Sequence, residues 1–519
     1  MARLPPFELA DQSGQQRAFP TGRPALLCFL KEECPTCVLS APLVRAATEA
    51  FGGAVDVWAI SQDEDGAQLA RSFGLAGPLL ADSALRVSYR YGLETVPTVI
   101  LADGTGEELR RVGGFDRAAW RELFGELARL AGAPEPSFDW DAYPAARPGC
   151  GSRSVEPGIA ERLAAEAEGS PLRARRIEVG ARDDPFEFLF DQSVTDGLPV
   201  VPPTPERVLR MLAGTRRDPQ SVVAVVPPSM GVATVEKVAI NAVMAGCRPE
   251  YLPVVIAALE AVCTERFNVH GVLATTHFVG PVLIVNGPIR DRIGMNYREN
   301  ALGQGNRANA TIGRALQLVV RNVGGGRPGE IDRAVLGTPG KLGFCFAEHE
   351  ARSRWEPLHV ERGFRPEDST VTAFAGCAPT PIVDQFSRSA ASLATSYGLS
   401  LMAAGHPRQV GYGEVVVVVP PEHVDTIARD GWTKQQLREA IQAATARPAR
   451  ELARDEHCAV GLTPAEVERL GPGTPVPKFR AAEAIHLVVA GGEAGKFAAW
   501  IDNWAGGAGS AMTTVKIEE

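Results

Sequence analysis

No apolar run in this 519-residue chain approaches the roughly 18 residues of a membrane-spanning helix, so neither such a span nor a membrane partner is expected. Basic residues are not in excess: 53 Lys and Arg face 62 Asp and Glu, for a net charge of −9. A surface read by phosphate backbones needs the opposite balance, and nucleic acid is not expected as a partner. The opening Met1-Ala2-Arg3-Leu4-Pro5-Pro6 lacks the pattern of a signal peptide, and a cytoplasmic location is expected. Cysteine is sparse. Only one pair among the nine has redox or ligand spacing, which excludes a disulfide-stapled scaffold and fits mostly free thiols. A four-ligand zinc site would want a second nearby pair, and none exists.

What is present is an ordinary globular composition, 45% hydrophobic and 22% charged, in a chain long enough for two to four domains. The feature the rest is organised around is Cys34-Pro35-Thr36-Cys37. The apolar run Ala25–Leu30 before it reads as a buried strand, and Val38–Ala47 after it has helical spacing. Two cysteines so spaced at a strand-to-helix junction have the geometry of a redox dithiol. The first sits at a helix N-terminus, where N–H groups favour a thiolate, and the second can resolve a mixed disulfide. Two structural thiols or half a zinc site are the alternatives.

Some 60 residues on comes Glu94-Thr95-Val96-Pro97-Thr98-Val99-Ile100-Leu101. With the dithiol, this Val-Pro-Thr before an apolar strand resembles the thioredoxin superfamily, in particular bacterial domains of the TlpA and peroxiredoxin type, over residues 1–131. The resemblance implies an α/β fold with Cys34 as attacking thiol, Cys37 as resolving thiol and Pro97 as a cis proline packed against them. It leaves the backbone before Pro97 free to bond an incoming peptide. No cofactor beyond a Cys34–Cys37 disulfide is implied, and a protein or small thiol would be the electron donor. The family commonly has an aromatic residue just before the first cysteine. Here Glu32-Glu33 stand instead, and two carboxylates are expected to oppose a thiolate.

Asp103-Gly104-Thr105-Gly106 predicts a hairpin turn, and Asp116 predicts an N-cap for a helix to Leu130 with Trp120, Leu123, Leu127 and Leu130 on one face. Residues 132–157, rich in Pro, Ala, Gly and Ser with Cys150 between two glycines, are expected to be an interdomain linker. A mixed α/β domain is expected over 158–519. Ser221–Pro228 reads there as a buried strand and is echoed by Glu414–Pro421, which suggests an internal duplication or convergent strand ends.

Four stretches of that domain could carry chemistry. In Ala301–Arg314, Gly303, Gly305, Asn306, Arg307, Asn309 and Thr311 combine freed backbone, a helix N-terminus and side-chain donors. That composition suits a small anionic substrate, although it matches neither the P-loop nor the dinucleotide fingerprint, and a polar loop capping a helix is the alternative. Cys247, between Gly246 and Arg248, is either an activated thiol or a small buried apolar residue. His270 and His277 are candidate general bases or ordinary satisfied histidines. Cys345 and His349 have metal-ligand spacing if helical, which the alternation of Phe344 and Phe346 weakens. Cys247 and His277 are expected to face Arg307 and Asn309 across one pocket.

At Asp196–Thr204, Met244–Tyr251 and Gly303–Gly313 this region resembles a bacterial domain family of uncharacterised activity. It occurs beside thioredoxin-like partners and small selenocysteine- or cysteine-containing proteins. The resemblance implies redox or sulfur chemistry and no particular reaction. Three functions stay open: a dithiol oxidoreductase coupled to an anion-binding domain, a Cys- or His-dependent lyase or hydrolase kept reduced by its partner domain, and a non-catalytic interaction module. Homo-oligomer formation also stays open.

Overall fold

The computed structural model describes residues 3–63, 66–156, 159–167, 169–180, 182–504 and 509–518. The chain divides into two compact units, Met1–Ile177 and Glu178–Glu519.

The first unit is built on a five-stranded sheet of β1 (Ala25–Leu30), β2 (Asp56–Ser61), β3 (Leu79–Ala81), β4 (Thr98–Ala102) and β5 (Glu108–Gly113), in the order β3-β2-β1-β4-β5. β1, β2 and β3 run parallel, and β4 and β5 antiparallel to their neighbours. All six residues of β1 are buried because both sheet faces are covered, which is why the run is continuously apolar. Leu26 and Cys28 pack with α1 (Pro35–Phe51) and α3 (Arg117–Ala131), while Leu27 and Phe29 pack with Trp58, Phe73 of α2 (Gly66–Phe73), Tyr91 and the N-terminal hairpin residues Phe7 and Phe19. Asp116 caps α3, its carboxylate accepting from Ala119 N at 2.8 Å. Trp120, Leu123 and Leu127 are buried as the helical spacing predicts, but Leu130 is 39% exposed, one turn past the core.

The stretch predicted as a linker belongs to the first unit. Trp140 and Tyr143 pack on the α3 side of the core, Ala146–Arg147 pairs with Phe115–Asp116, and Cys150–Gly151 pairs antiparallel with Thr95–Val96. Its glycines allow close approach to the sheet edge rather than freedom between domains. Residues 157 and 158, the expected boundary, lie outside the described residues, and the helix Ile159–Ala167 beyond them still belongs to this unit.

The second unit holds a seven-stranded mixed sheet. Its strands are β6 (Gly280–Asn286), β7 (Cys345–Ala347), β8 (Thr370–Val383), β9 (Val415–Val419), β10 (Ile485–Val489), β11 (Phe497–Asn503) and β12 (Thr513–Lys516). The order is β7-β6-β8-β11-β9-β10, with β12 also on β8. On one face Leu393, Tyr397, Ile427, Leu437 and Ile441 of helices Ala390–Leu401, Pro421–Arg429 and Lys434–Ala444 cover Val415, Val417, Leu487 and Trp500. Helices α4 (Val235–Ala245), α5 (Leu252–Val262) and α6 (Arg307–Asn322) pack on one another, α5 also against β8 and β12 and α6 against β7. Thr234 caps α4, and Gly246 closes it at φ 89°, a left-handed conformation a side chain would resist.

The two valine-rich runs are unlike each other. Val415–Val419 is buried mid-sheet, whereas Val222–Val226 forms only a two-stranded ribbon with Gly231–Thr234, where Val222 is 59% exposed. Their shared Pro-Pro endings are therefore strand-end composition, with no duplicated architecture behind them. No helix among the described residues is long and apolar enough to cross a membrane.

Candidate functional site

The dithiol lies where β1 ends. Cys34 is the N-cap of α1, with extended backbone and Pro35 as the first helical residue. Its sulfur accepts from Cys37 N at 3.4 Å and lies 3.3 Å from the carbonyl of Val96. Cys37, one turn on, accepts from Lys31 N at 3.5 Å. Both are free thiols, buried in the core between sheet and helix. The Val96–Pro97 peptide bond is cis, and Pro97 O accepts from Gly114 N at 2.7 Å.

The two sulfurs are driven apart electrostatically. Cys34 is pushed down to about 4, first by the hydrogen bond from the Cys37 thiol, which outweighs burial, then by the Cys150 thiol and the N–H groups of Cys37 and Cys150. Cys37 is pushed far up, by burial first and then by its hydrogen bond to Cys34. The two shifts run in opposite directions, Cys34 toward the thiolate and Cys37 toward the thiol, the division of labour that attack and resolution in thiol–disulfide exchange require. The opposition expected from Glu32 and Glu33 does not arise. Glu32 is engaged away from the sulfur, by Gln68 at 3.1 Å and Ser72 at 2.8 Å, and Glu33 is exposed to screening solvent.

Sequence reasoning missed Cys150, which packs against the dithiol core from the supposed linker. The available signal was a cysteine between two glycines after a proline, Pro148-Gly149-Cys150-Gly151, a stretch suited to lying flat on another backbone.

In the second unit the predicted groups separate. Asn306 is the N-cap of α6, accepting from Asn309 N at 3.0 Å, so the cap occupies part of the helix end expected to hold an anion. Asn309 is buried and bonded to both backbone groups of Asn296, at 3.0 and 2.7 Å. Thr311 returns its hydroxyl to Arg307 O at 2.8 Å. Gly303 lines a different hollow, beside Pro379 and Phe497, and Gly305 takes a left-handed turn at φ 107°. The loop's polar groups therefore build the loop.

Arg307 and Cys247 do share a cavity of about 380 Å3, lined also by Arg207, Arg210 and Arg248. None of these four arginines forms an ion pair among the described residues; Arg207 and Arg307 donate to the carbonyls of Pro202 and Gly246, each at 2.8 Å. A larger hollow of about 880 Å3 elsewhere is also charged, but its Glu361 is already bound by Lys434 at 2.7 Å and Arg438 at 3.0 Å. The smaller one is lined by guanidinium groups and, among the described residues, by no carboxylate.

Cys247 is not poised as a nucleophile. Its thiol is 7% exposed, lies 3.4 Å from Thr311 O as a donor, and is pushed up to about 12 by burial. His277 is outside the cavity lining. It stacks on Phe278 with centroids 5.1 Å apart, and burial holds it below the usual histidine range. Cys345 lies in β7 rather than a helix and is buried, so it and His349 do not share a helical face. No group able to hold a metal ion occurs among the described residues.

No family profile and no curated protein matches the sequence. Solved structures are similar to this chain over about a quarter of its length. It reaches the thioredoxin domain of a thiol-disulfide oxidoreductase from Bacteroides vulgatus (16% identity, 96% of that chain, TM-score 0.23), StoA from Bacillus subtilis (22%, 99%, 0.22) and the peroxidoxin BcpB from Mycobacterium tuberculosis (23%, 95%, 0.22). At that level of similarity the topology of the first unit and its dithiol geometry carry the assignment. The first unit has a thioredoxin-like fold, with the dithiol at the start of α1 and Val96-Pro97 against it.

Proposed function

We propose that the chain is a thiol–disulfide oxidoreductase in which Cys34 attacks and Cys37 resolves, joined to a larger α/β unit that takes a small anion among Arg207, Arg210, Arg248 and Arg307. The observation that carries the first part is the paired hydrogen bonding at Cys34: a sulfur at a helix N-terminus, met by the N–H and the thiol of Cys37. The partner is a protein or small thiol, and the chemistry needs no cofactor beyond the dithiol. The second part is supported by four arginines around one cavity; they have no ion pair among the described residues and would make charge-assisted hydrogen bonds to a carboxylate or phosphate. A hydrolase or lyase built on Cys247 finds no support, because that thiol is buried, donates to Thr311 O and is pushed up by burial.

Counting free thiols after oxidation and after reduction tests the exchange role. Wild type should lose two thiols reversibly, and Cys34→Ser should lose none of that pair. Equal counts in both states of the wild type would leave the first unit as an interaction module.

A further inference from the structure

Cys34 is the ionised thiol of the pair, yet its exposure is 0%. Part of what covers it is the strand around Cys150, anchored at every step. Arg117 N bonds Ala145 O at 2.9 Å, Thr36 Oγ1 donates to Pro148 O at 2.8 Å, Lys31 Nζ to Gly151 O at 3.2 Å, and Ser152 N to Glu94 O at 2.9 Å. Gln62 then fixes the far end, its amide donating to Ser152 Oγ at 2.8 Å and accepting from Arg153 N at 3.0 Å. Gly149 permits the approach, since a Cβ there would sit 2.7 Å from Val96 O.

The register matters more than the cover. Cys150 stands opposite Val96 in an antiparallel pair, and Val96 O is the atom 3.3 Å from Cys34 Sγ. Cys150 packs against the buried cluster that holds Cys34 and Cys37, and its groups act on the Cys34 sulfur in the direction that favours the thiolate. An extended segment laid along Thr95–Val96 with a cysteine at the attacking thiol is how an incoming peptide disulfide would have to present itself. Here the chain supplies that segment itself. Cys150 is half-buried while Cys34 and Cys37 are buried, so it is the thiol of the three that solvent reaches most readily.

We propose that Cys150 is a third redox thiol of this site, exchanging into a Cys34–Cys37 disulfide to give Cys34–Cys150 and free Cys37. The step rests on the reading of Cys34 and Cys37 as an exchange pair. The Cys150 thiolate attacks Cys34 Sγ, the Cys34–Cys150 bond forms, and the Cys34–Cys37 bond breaks. The electron pair leaves on Cys37 Sγ, which faces Lys31 N–H and takes the proton that Cys150 gave up. No external oxidant is consumed, because one disulfide replaces another. A Cys34–Cys150 bond makes the occupying strand a covalent one, and the return attack by Cys37 frees it.

The test uses the full chain carrying Cys37→Ser, treated with oxidised glutathione, alkylated, digested without reductant and mapped by mass. Cys37→Ala serves if the buried hydroxyl prevents folding. The expected product is a peptide pair joined through Cys34 and Cys150, because an internal thiol competes at an effective concentration of about millimolar or more. In Cys37→Ser/Cys150→Ser the glutathione should instead stay on Cys34. Glutathione on Cys34 beside an alkylated Cys150 in the single variant would overturn the proposal while leaving the Cys34–Cys37 reading intact. A Cys34 that takes no glutathione, with no Cys34–Cys37 bond in oxidised wild type, would overturn both.

Discussion

Cys34 and Cys247 are two buried thiols next to helix ends, and their chemistry is opposite. Cys34 precedes the start of α1 and receives donors: the N–H and thiol of Cys37, and those of Cys150. Cys247 follows the end of α4, and its sulfur faces the carbonyl of Thr311. Burial pushes both thiols up, but only Cys34 has groups that reverse it, leaving one near 4 and the other near 12. A nearby arginine is too weak a substitute. Arg307 and Arg314 act on Cys247 in the lowering direction and do not overcome burial. The difference lies in the donors: the Cys37 and Cys150 groups outweigh burial at Cys34, whereas the Thr311 side chain and the two arginines together do not outweigh it at Cys247.

The widest break in that comparison is ionisation itself. At pH 7 Cys34 should be mainly thiolate and Cys247 mainly thiol. An acid titration of thiolate ultraviolet absorbance in the reduced protein should show a step near about 4 that Cys34→Ser removes and Cys247→Ser keeps. The same shift has a stability signature. The folded Cys34 gives up its proton near 4, whereas an unfolded cysteine holds it to about 8.5. Between those values the unfolded state binds more protons, so stability rises with pH. Under reducing conditions, urea unfolding should show the advantage of wild type over Cys34→Ser growing from pH 4 toward pH 8.5. An advantage that does not change with pH would mean that the donors around Cys34 fail to hold an anion.

A smaller effect sharpens the other side. If the arginines around Cys247 serve an anion rather than the thiol, Arg307→Ala should weaken binding of inorganic phosphate about ten-fold to a hundred-fold, or 1–3 kcal/mol, read by calorimetry. Unchanged affinity would leave the cavity without an assigned ligand. Smallest is Cys247→Ala, which should cost about 1 kcal/mol of stability and leave the reversible loss of two thiols intact. Loss of that reversibility would return Cys247 to the redox chemistry.

The first unit was largely legible because its signals are local. A buried strand, a dithiol within four residues and a proline before the next strand each fit inside one window of sequence. What escaped were meetings between distant segments. Gly149-Cys150-Gly151 looks like flexible chain until Val96 is known to lie under it. The loop at Gly303–Arg314 was rich in donors, but nothing local says that Asn309 is engaged by Asn296 and Asn306 by its own helix. Arg207 and Arg210 carry no local signal, and Arg248 reads from sequence only as a neighbour of Cys247; the fold alone brings all three to Arg307.

The fourteen-residue strand β8 bears on the order in which the molecule can assemble. It bonds β6 on one side and β11 and β12 on the other, and Val371 finds its partner at Val515, about 140 residues later. In the first unit, β1 meets β2 about 30 residues away. Search over the longer separation is the slower event. During synthesis from the N-terminus the first unit can therefore be complete while β8 still waits for its last partner. For that interval Cys345 and Cys377 belong to an unfinished sheet, and Cys247, Cys263 and Cys458 to the unfinished unit around it, on the same chain as a finished dithiol.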